Sequence, residues 1–148
     1  MKNKGYKIIK IDSQKTLSIR YQAMWPNKPI DYVKLENDIQ GLHFGLFIQD
    51  KIISVISLFE ENSNIQFRKF ATLNTFQGQG YGTILLNYIL EYAEKNEYKK
   101  VWCNARVNKS AFYKRFGLKE TNSYFDKGGI KYVIMEKRNY EDYKLSRK

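Results

Sequence analysis

Gln77-Gly78-Gln79-Gly80-Tyr81-Gly82-Thr83 sets three glycines at alternate positions, where an extended run gives way to a helical one. Upstream, Ile65 to Leu73 reads as a strand. Downstream, Tyr81, Ile84, Leu85, Tyr88, Ile89 and Tyr92 recur with the spacing of one face of an amphipathic helix. Glycine tolerates positive φ and lacks a Cβ, so its main-chain N–H can come close to a ligand. At the start of a helix such N–H groups also lie at the positive end of the macrodipole. The stretch therefore reads as a phosphate-binding loop. A dinucleotide fingerprint would need G-x-G-x-x-G, whereas the spacing here is G-x-G-x-G. A nucleoside triphosphate loop would need Gly-Lys-Ser/Thr, which is absent.

On the N-terminal side of that loop, Tyr6 to Ile11 reads as a short strand. Ser13 is expected to cap a helix running to about Trp25, ended by Pro26 and Pro29. Asp31 to Ile39 is expected as a second short helix. Leu42 to Ile48 and Lys51 to Phe59 are apolar, β-branched runs joined by Gln49-Asp50, a hairpin, and Glu60 to Asn64 turns the chain into the strand before the loop. On the C-terminal side, Val101, Cys103, Ala105 and Val107 alternate on one face of a strand. A short helix spans about Lys109 to Arg115, stopped by Gly117, and Lys131 to Lys137 forms a last strand. The order β, α, α, three meandering strands, α, β, α, β predicts an α/β fold with a mixed sheet.

Composition narrows the class. The 148 residues suit a single domain, and with 43% hydrophobic and 28% charged residues the chain is not of the disordered type. No apolar run approaches the ~20 residues of a membrane span, and Asp12 interrupts any secretory core, so a cytoplasmic protein is expected. The lone Cys103 has no internal disulfide partner, and no Cys/His cluster offers a metal site. The formal net charge is +11. Much of it lies in the first ten residues and in a basic C-terminal tail from about residue 138, which read as solvated ends. Residues 11 to 63 carry five basic and seven acidic side chains, and residues 64 to 136 carry twelve and six. A mildly acidic half thus precedes a basic one.

Gln77-x-x-Gly80-x-Gly82, opening a helix after a strand, resembles the Q/R-x-x-G-x-G/A motif of the GNAT superfamily of N-acetyltransferases. Asn108 to Leu118 (N-K-S-A-F-Y-K-R-F-G-L) is similar to that superfamily's second acetyl-CoA segment, at the right separation of one helix and one strand. Trp102-Cys103-Asn104-Ala105-Arg106 with Phe112-Tyr113 is similar to one of its subgroups. That subgroup usually carries G-I-x-H near the last strand, where this chain has Gly129-Ile130-Lys131-Tyr132. The resemblance covers about residues 17 to 137. It implies one domain over residues 1–148, with the GNAT fold: a mixed, mostly antiparallel central sheet flanked by helices.

The same resemblance implies acetyl-CoA as co-substrate, no metal, and transfer of acetyl to a primary amine of a small molecule or peptide; the alternatives are another acyl-CoA as donor, or a basic binding module that keeps the fold without catalysis. Neither nucleic acid nor membrane is implied as a partner, and a homodimer is compatible. The pyrophosphate of acetyl-CoA would rest on Gln77, Gly78, Gln79, Gly80, Tyr81, Gly82 and Thr83. Its pantetheine arm would lie along Ala71, Thr72 and Leu73, with Asn108 bonding it and Phe112 packing on it. Tyr113 would be the general acid. The alternation of Ile65 and Phe67 is disturbed at Arg68-Lys69, which predicts a β-bulge there. An N–H freed by that bulge could stabilise an oxyanion. No base is assigned: the strand offers Gln66, Arg68 and Lys69, and Glu60, Glu61, Asp126 and the sole histidine, His43, stand as candidates. Cys103 reads as a buried strand cysteine.

Overall fold

The computed structural model describes residues 5–139. The expected basic tail lies, past Asn139, outside the described residues. The elements are β1 (Tyr6–Ile11), α1 (Leu17–Met24), β2 (Leu42–Ile48), β3 (Lys51–Glu61), β4 (Asn64–Thr72), α2 (Tyr81–Lys95), β5 (Lys100–Arg106), α3 (Ser110–Lys114), β6 (Lys119–Lys127) and β7 (Ile130–Arg138). The strands form a mixed sheet in the order β1-β2-β3-β4-β5-β7-β6. β1 and β2 are antiparallel from Tyr6/Ile48 to Ile11/His43, and β2 and β3 from Leu42/Leu58 to Ile48/Lys51. β4 and β5 are parallel, paired from Asn64/Lys100 to Gln66/Trp102, an arrangement that needs a long crossover such as α2.

Local chemistry accounts for the departures from the expected elements. Asp12, not Ser13, supplies the N-terminal cap: its carboxylate accepts the Gln14 N–H at 3.0 Å and opens a 3-10 turn ahead of α1. The second helix is replaced by two 3-10 turns, Ile30–Val33 and Asp38–Gln40. Between them Asp38 accepts the Leu35 N–H through its side chain, a local bond that competes with helix formation. The turn after β3 is tighter than expected, because Asn62 and Ser63 both take positive φ (54° and 71°), as a two-residue hairpin loop requires. β6 was not anticipated. It ends the strand order, nearly all its residues are exposed, and its ladder with β7 is shifted between Glu120 and Tyr124, so no apolar alternation marks it.

The chain divides into two compact units. The first holds the described residues up to Phe59 together with Arg68–Ile89; the second holds Glu60–Phe67 and the described residues from Leu90. In the first, Leu46, Ile53, Val55, Ile56, Leu85, Leu86 and Ile89 are fully buried. The buried face of α2 is centred on Leu85, Leu86, Ile89 and Ala93, and Tyr88 lies exposed at its margin, edge-on to Phe44. In the second unit Val101, Cys103, Ala105, Val133, Met135 and Leu118 form the core, with the expected alternation along β5.

Arg20 of α1 is completely buried in the first unit. Its Nη1 donates to the Val33 carbonyl and to Asp38 Oδ2, and its Nη2 to Asp38 Oδ1 and Ser57 Oγ, each at 2.9 Å. His43 lies on the same cluster, with Nδ1 2.7 Å from Ser57 Oγ and Nε2 donating to the Asp38 carbonyl at 2.8 Å. Burial alone would raise the Asp38 carboxyl, but the Arg20 and Leu35 hydrogen bonds and the Arg20 charge outweigh it and hold it below the usual carboxylate range.

Asp38→Ala strands the Arg20 charge and is expected to cost about 3–5 kcal/mol in urea unfolding, the scale for breaking a buried pair. A loss under about 1 kcal/mol would show that the pair does not hold this segment. The folded Asp38 carboxyl binds its proton less tightly than an unfolded one, whose pKa is about 3.9. Its contribution is therefore full above about pH 4 and is lost as pH falls through the lower folded value. Asp38→Asn should flatten that acid limb.

Candidate functional site

The end of β4 and the glycine loop belong to the first unit. His43 and Phe44 are neighbours in β2 and point to opposite faces: His43 joins the Arg20 cluster, and Phe44 meets Tyr88 of α2. One face of this sheet region therefore carries α1 and the other α2. Arg68 faces the α1 side, near enough to Arg20 and Asp38 to feel both charges. In a regular strand Phe70 and Thr72 would share its face, yet both lie beneath Gly82 of α2. The parity changes at Lys69, whose φ is +54°. The irregularity expected at Arg68-Lys69 is thus present. Arg68 is half-buried, and burial first and the Arg20 charge second lower its guanidinium from the ordinary arginine value.

Beyond this point the main chain is partly committed. Leu73 N–H donates to the Ile53 carbonyl at 2.9 Å, and the Ala71 carbonyl accepts from Ser54 Oγ at 3.0 Å. With the Ser54 hydrogen so directed, the Thr72 hydroxyl donates to Ser54 Oγ at 2.8 Å. Main-chain groups alternate along a strand, so of the three residues expected to meet the pantetheine arm, Thr72 turns its N–H away from β3. Leu73 N–H is already engaged.

The loop itself is held by Gln77, whose side-chain amide donates to the Thr72 carbonyl (2.9 Å) and to Asn74 Oδ1 (3.0 Å). Gln79 similarly reaches the Thr75 carbonyl. Gly78 and Gly80 adopt φ of +78° and +91°, which side-chain-bearing residues rarely take. The Gly80 carbonyl accepts the Ile84 N–H at 3.1 Å, so the helical bonds begin there and the N–H groups of Gly82 and Thr83 have no carbonyl one turn back. The result is an anion cradle at the N-terminus of a 15-residue helix. The Tyr81 side chain is buried against Phe76, so it can contribute only its main chain. Lys51 lies over the Phe76 ring and adds a cation beside the same loop, a neighbour that no motif marks.

The remaining expected residues belong to the second unit. Asn108 is exposed in a 3-10 turn, Val107–Lys109, directly ahead of α3. Phe112 and Tyr113 lie on α3 with ring centroids 5.1 Å apart, and Tyr113 packs on Phe67 at 5.8 Å. Burial, and next the Cys103 thiol beside it, raise the Tyr113 phenol well above its ordinary value, with Arg106 working weakly against them. Cys103 is buried and its thiol is pushed up to about 12, so it carries no thiolate at neutral pH.

The candidate bases are mostly engaged. Glu60 accepts a 2.8 Å hydrogen bond from Tyr98, whose phenol is raised to about 12 by its burial and by that carboxylate. Both ring nitrogens of His43 are bonded within the Arg20 cluster. Glu61 is exposed, and Asp126 stands opposite Lys131 at the β6–β7 hairpin. Among the described residues no group of three His, Cys, Asp or Glu is placed to hold a metal ion, and no helix is long and apolar enough to cross a membrane.

Residues 5–139 match the family model described as an acetyltransferase (GNAT) domain. Over 137 residues the chain is 30% identical to the uncharacterized N-acetyltransferase YitI of Bacillus subtilis (strain 168), covering 86% of this chain and 92% of that protein. Its fold is similar to that of a GNAT family acetyltransferase from Elizabethkingia anophelis with acetyl-CoA bound (TM-score 0.73, 15% identity, 92% of this chain and 99% of that one). It is also similar to the ribosomal-protein-S18-alanine N-acetyltransferase of Escherichia coli (TM-score 0.73, 20% identity, 90% and 93%).

The two kinds of glycine should separate by substitution. Gly80→Ala forces a side chain into positive φ and is expected to cost about 1–3 kcal/mol. At Gly82 a Cβ would meet Phe70 Cζ at 3.4 Å, an ordinary contact, so Gly82→Ala should stay within about 0.5 kcal/mol of wild type. Thermal denaturation checks both, and equal effects would contradict the assignment.

Proposed function

The chain belongs to the GNAT acetyltransferase family, and from that premise we propose that it is a single domain that transfers the acetyl group of acetyl-CoA to a primary amine of a small molecule or peptide. The observation that carries this is the Gly78–Thr83 cradle: two glycines at positive φ ahead of the first turn of α2, where the N–H groups of Gly82 and Thr83 have no carbonyl one turn back. A pyrophosphate suits such a cradle, because it supplies several acceptor oxygens and negative charge at the positive end of α2.

When bound, acetyl-CoA supplies the acyl group and a thiol leaving group. Main-chain N–H groups from Gly78 to Thr83 would hold its pyrophosphate, with Lys51 adding positive charge nearby. Thr72 N–H and the exposed Asn108 side chain would hold the pantetheine arm, and Phe112 would pack along it. Gln77 serves this site by fixing the loop through Thr72 and Asn74. Tyr113 keeps the proton on its Oη through the neutral range, since burial raises its phenol, and it would give that proton to the departing thiolate. The twist of β4 at Lys69 would aim a main-chain N–H at the carbonyl oxygen of the acyl group.

Acetyl-CoA at ~100 times its Kd should stabilise the protein by about 2.7 kcal/mol, a rise of several degrees in Tm. No shift at millimolar acetyl-CoA would contradict the proposal. Tyr113→Phe keeps the ring against Phe67 and removes the hydroxyl. The Kd for acetyl-CoA should stay within a few-fold of wild type while kcat falls about 10²-fold or more. Unchanged kcat would place the acid elsewhere.

A further inference from the structure

Arg68 sits one residue before the parity change in β4. Its guanidinium is half-buried, and its side chain makes no hydrogen bond or ion pair with any described residue. The one carboxylate among the described residues whose charge reaches it, that of Asp38, is occupied: Arg20 binds both its oxygens and Leu35 N–H binds one of them. The charges that reach Arg68 from the described residues are thus one further guanidinium, that of Arg20, and one carboxylate, that of Asp38. The same cluster contains another unmatched donor, since Arg20 Nε is a buried polar atom without a partner. A guanidinium partly withdrawn from water is well placed to receive an anion brought to it. Here none comes from the described chain.

Position supplies the rest. Arg68 and Ala71 are about 10 Å apart along the strand at about 3.3 Å per residue. Arg68 faces the α1 side, whereas the glycine cradle opens α2 on the opposite face. A molecule approaching the β4 irregularity from the α1 side would meet the Arg68 fork within the reach of one side chain.

We propose that Arg68 is a specificity-determining residue that binds a carboxylate on the acceptor, so that the acetylated amine is a small amino acid-like molecule. This rests on the acetyl-transfer function proposed above and adds the class of acceptor. The planar fork of arginine matches a carboxylate with two parallel hydrogen bonds. Charge favours a carboxylate over a phosphate: Arg20 is neutralised by Asp38, so one monoanion balances Arg68, whereas a dianion would leave a net negative charge in a half-buried place.

The test measures initial rates of acetyl transfer from acetyl-CoA to the proteinogenic amino acids and β-alanine. Each is compared with its amide or decarboxylated amine, and β-alanine with ethanolamine phosphate. The carboxylated acceptor used best should exceed its uncharged counterpart at least about 10-fold in kcat/KM. Arg68→Gln should raise the KM for that acceptor roughly 10- to 100-fold. Its kcat should stay within about 3-fold, and its acetyl-CoA-dependent rise in Tm should equal that of wild type. Arg68→Lys, which keeps the charge without the fork, should recover part of the loss, and turnover of the uncharged counterpart should ignore both substitutions. Preference for the uncharged amines or for ethanolamine phosphate overturns the inference. So does an unchanged KM in Arg68→Gln, or the absence of turnover across the whole panel. In those cases a preserved Tm rise with acetyl-CoA leaves the acetyl-transfer reading standing. Absence of the rise in wild type removes both.

Discussion

A single guanidinium organises the first unit. Of the five N–H donors of Arg20, four are used, on the Val33 carbonyl, both Asp38 oxygens and Ser57 Oγ. Those acceptors come from two 3-10 turns and from β3, so one side chain of α1 ties down a segment without long regular structure. Among its described residues that segment, Trp25 to Gly41, has only Val33 and Asp38 buried, too little apolar surface to hold itself in place. A buried ion pair is an uncertain source of net stability. Its effect here is geometric, because each acceptor has one place to go. His43 extends the same set of bonds, which accounts for the sole histidine without a catalytic role.

The face that Arg20 occupies gives meaning to the irregularity in β4. Without the change of parity at Lys69, Arg68 would share a face with Phe70 and Thr72 beneath α2. With it, a cation is delivered to the α1 side while the next residues support the start of α2. Under the proposed function, one residue in the left-handed region would separate donor and acceptor onto two faces of one strand. The glycine cradle divides its labour in a similar way: Gly78 and Gly80 supply conformation, and Gln77 supplies rigidity through its side-chain amide.

Most of the fold was legible because its signals are local. Alternation along Val101 to Ala105, the helix opening at Tyr81 and the glycines at Gly78 and Gly80 each follow from short-range rules and are present in the structure. The buried face of that helix is nevertheless turned toward Leu86 and Ala93 and leaves Tyr88 exposed. The irregularity at Arg68-Lys69 was legible from two charged residues breaking an alternation. What escaped was nonlocal or polar. β6 has no apolar face to announce it. The Arg20–Asp38 pair joins residues 18 apart through a loop that reads as unremarkable, and two 3-10 turns stand where a helix was expected. Of the site, the motif residues could be named, but motif spacing says nothing about available hydrogen bonds. That Leu73 N–H is committed to Ile53, that Glu60 is held by Tyr98 and that Arg68 has no hydrogen-bond or ion-pair partner among the described residues all depend on packing.

The central claim is that the helix-initial amides of α2 receive the pyrophosphate of acetyl-CoA. The most direct measurement is a titration of the isotopically labelled protein with acetyl-CoA, followed amide by amide in 15N–1H NMR spectra. The account predicts that the Gly78 to Thr83 amides shift most, saturably and together, with the Thr72 amide following them. Saturable shifts confined to other residues, with the Gly78 to Thr83 amides unmoved, would contradict it.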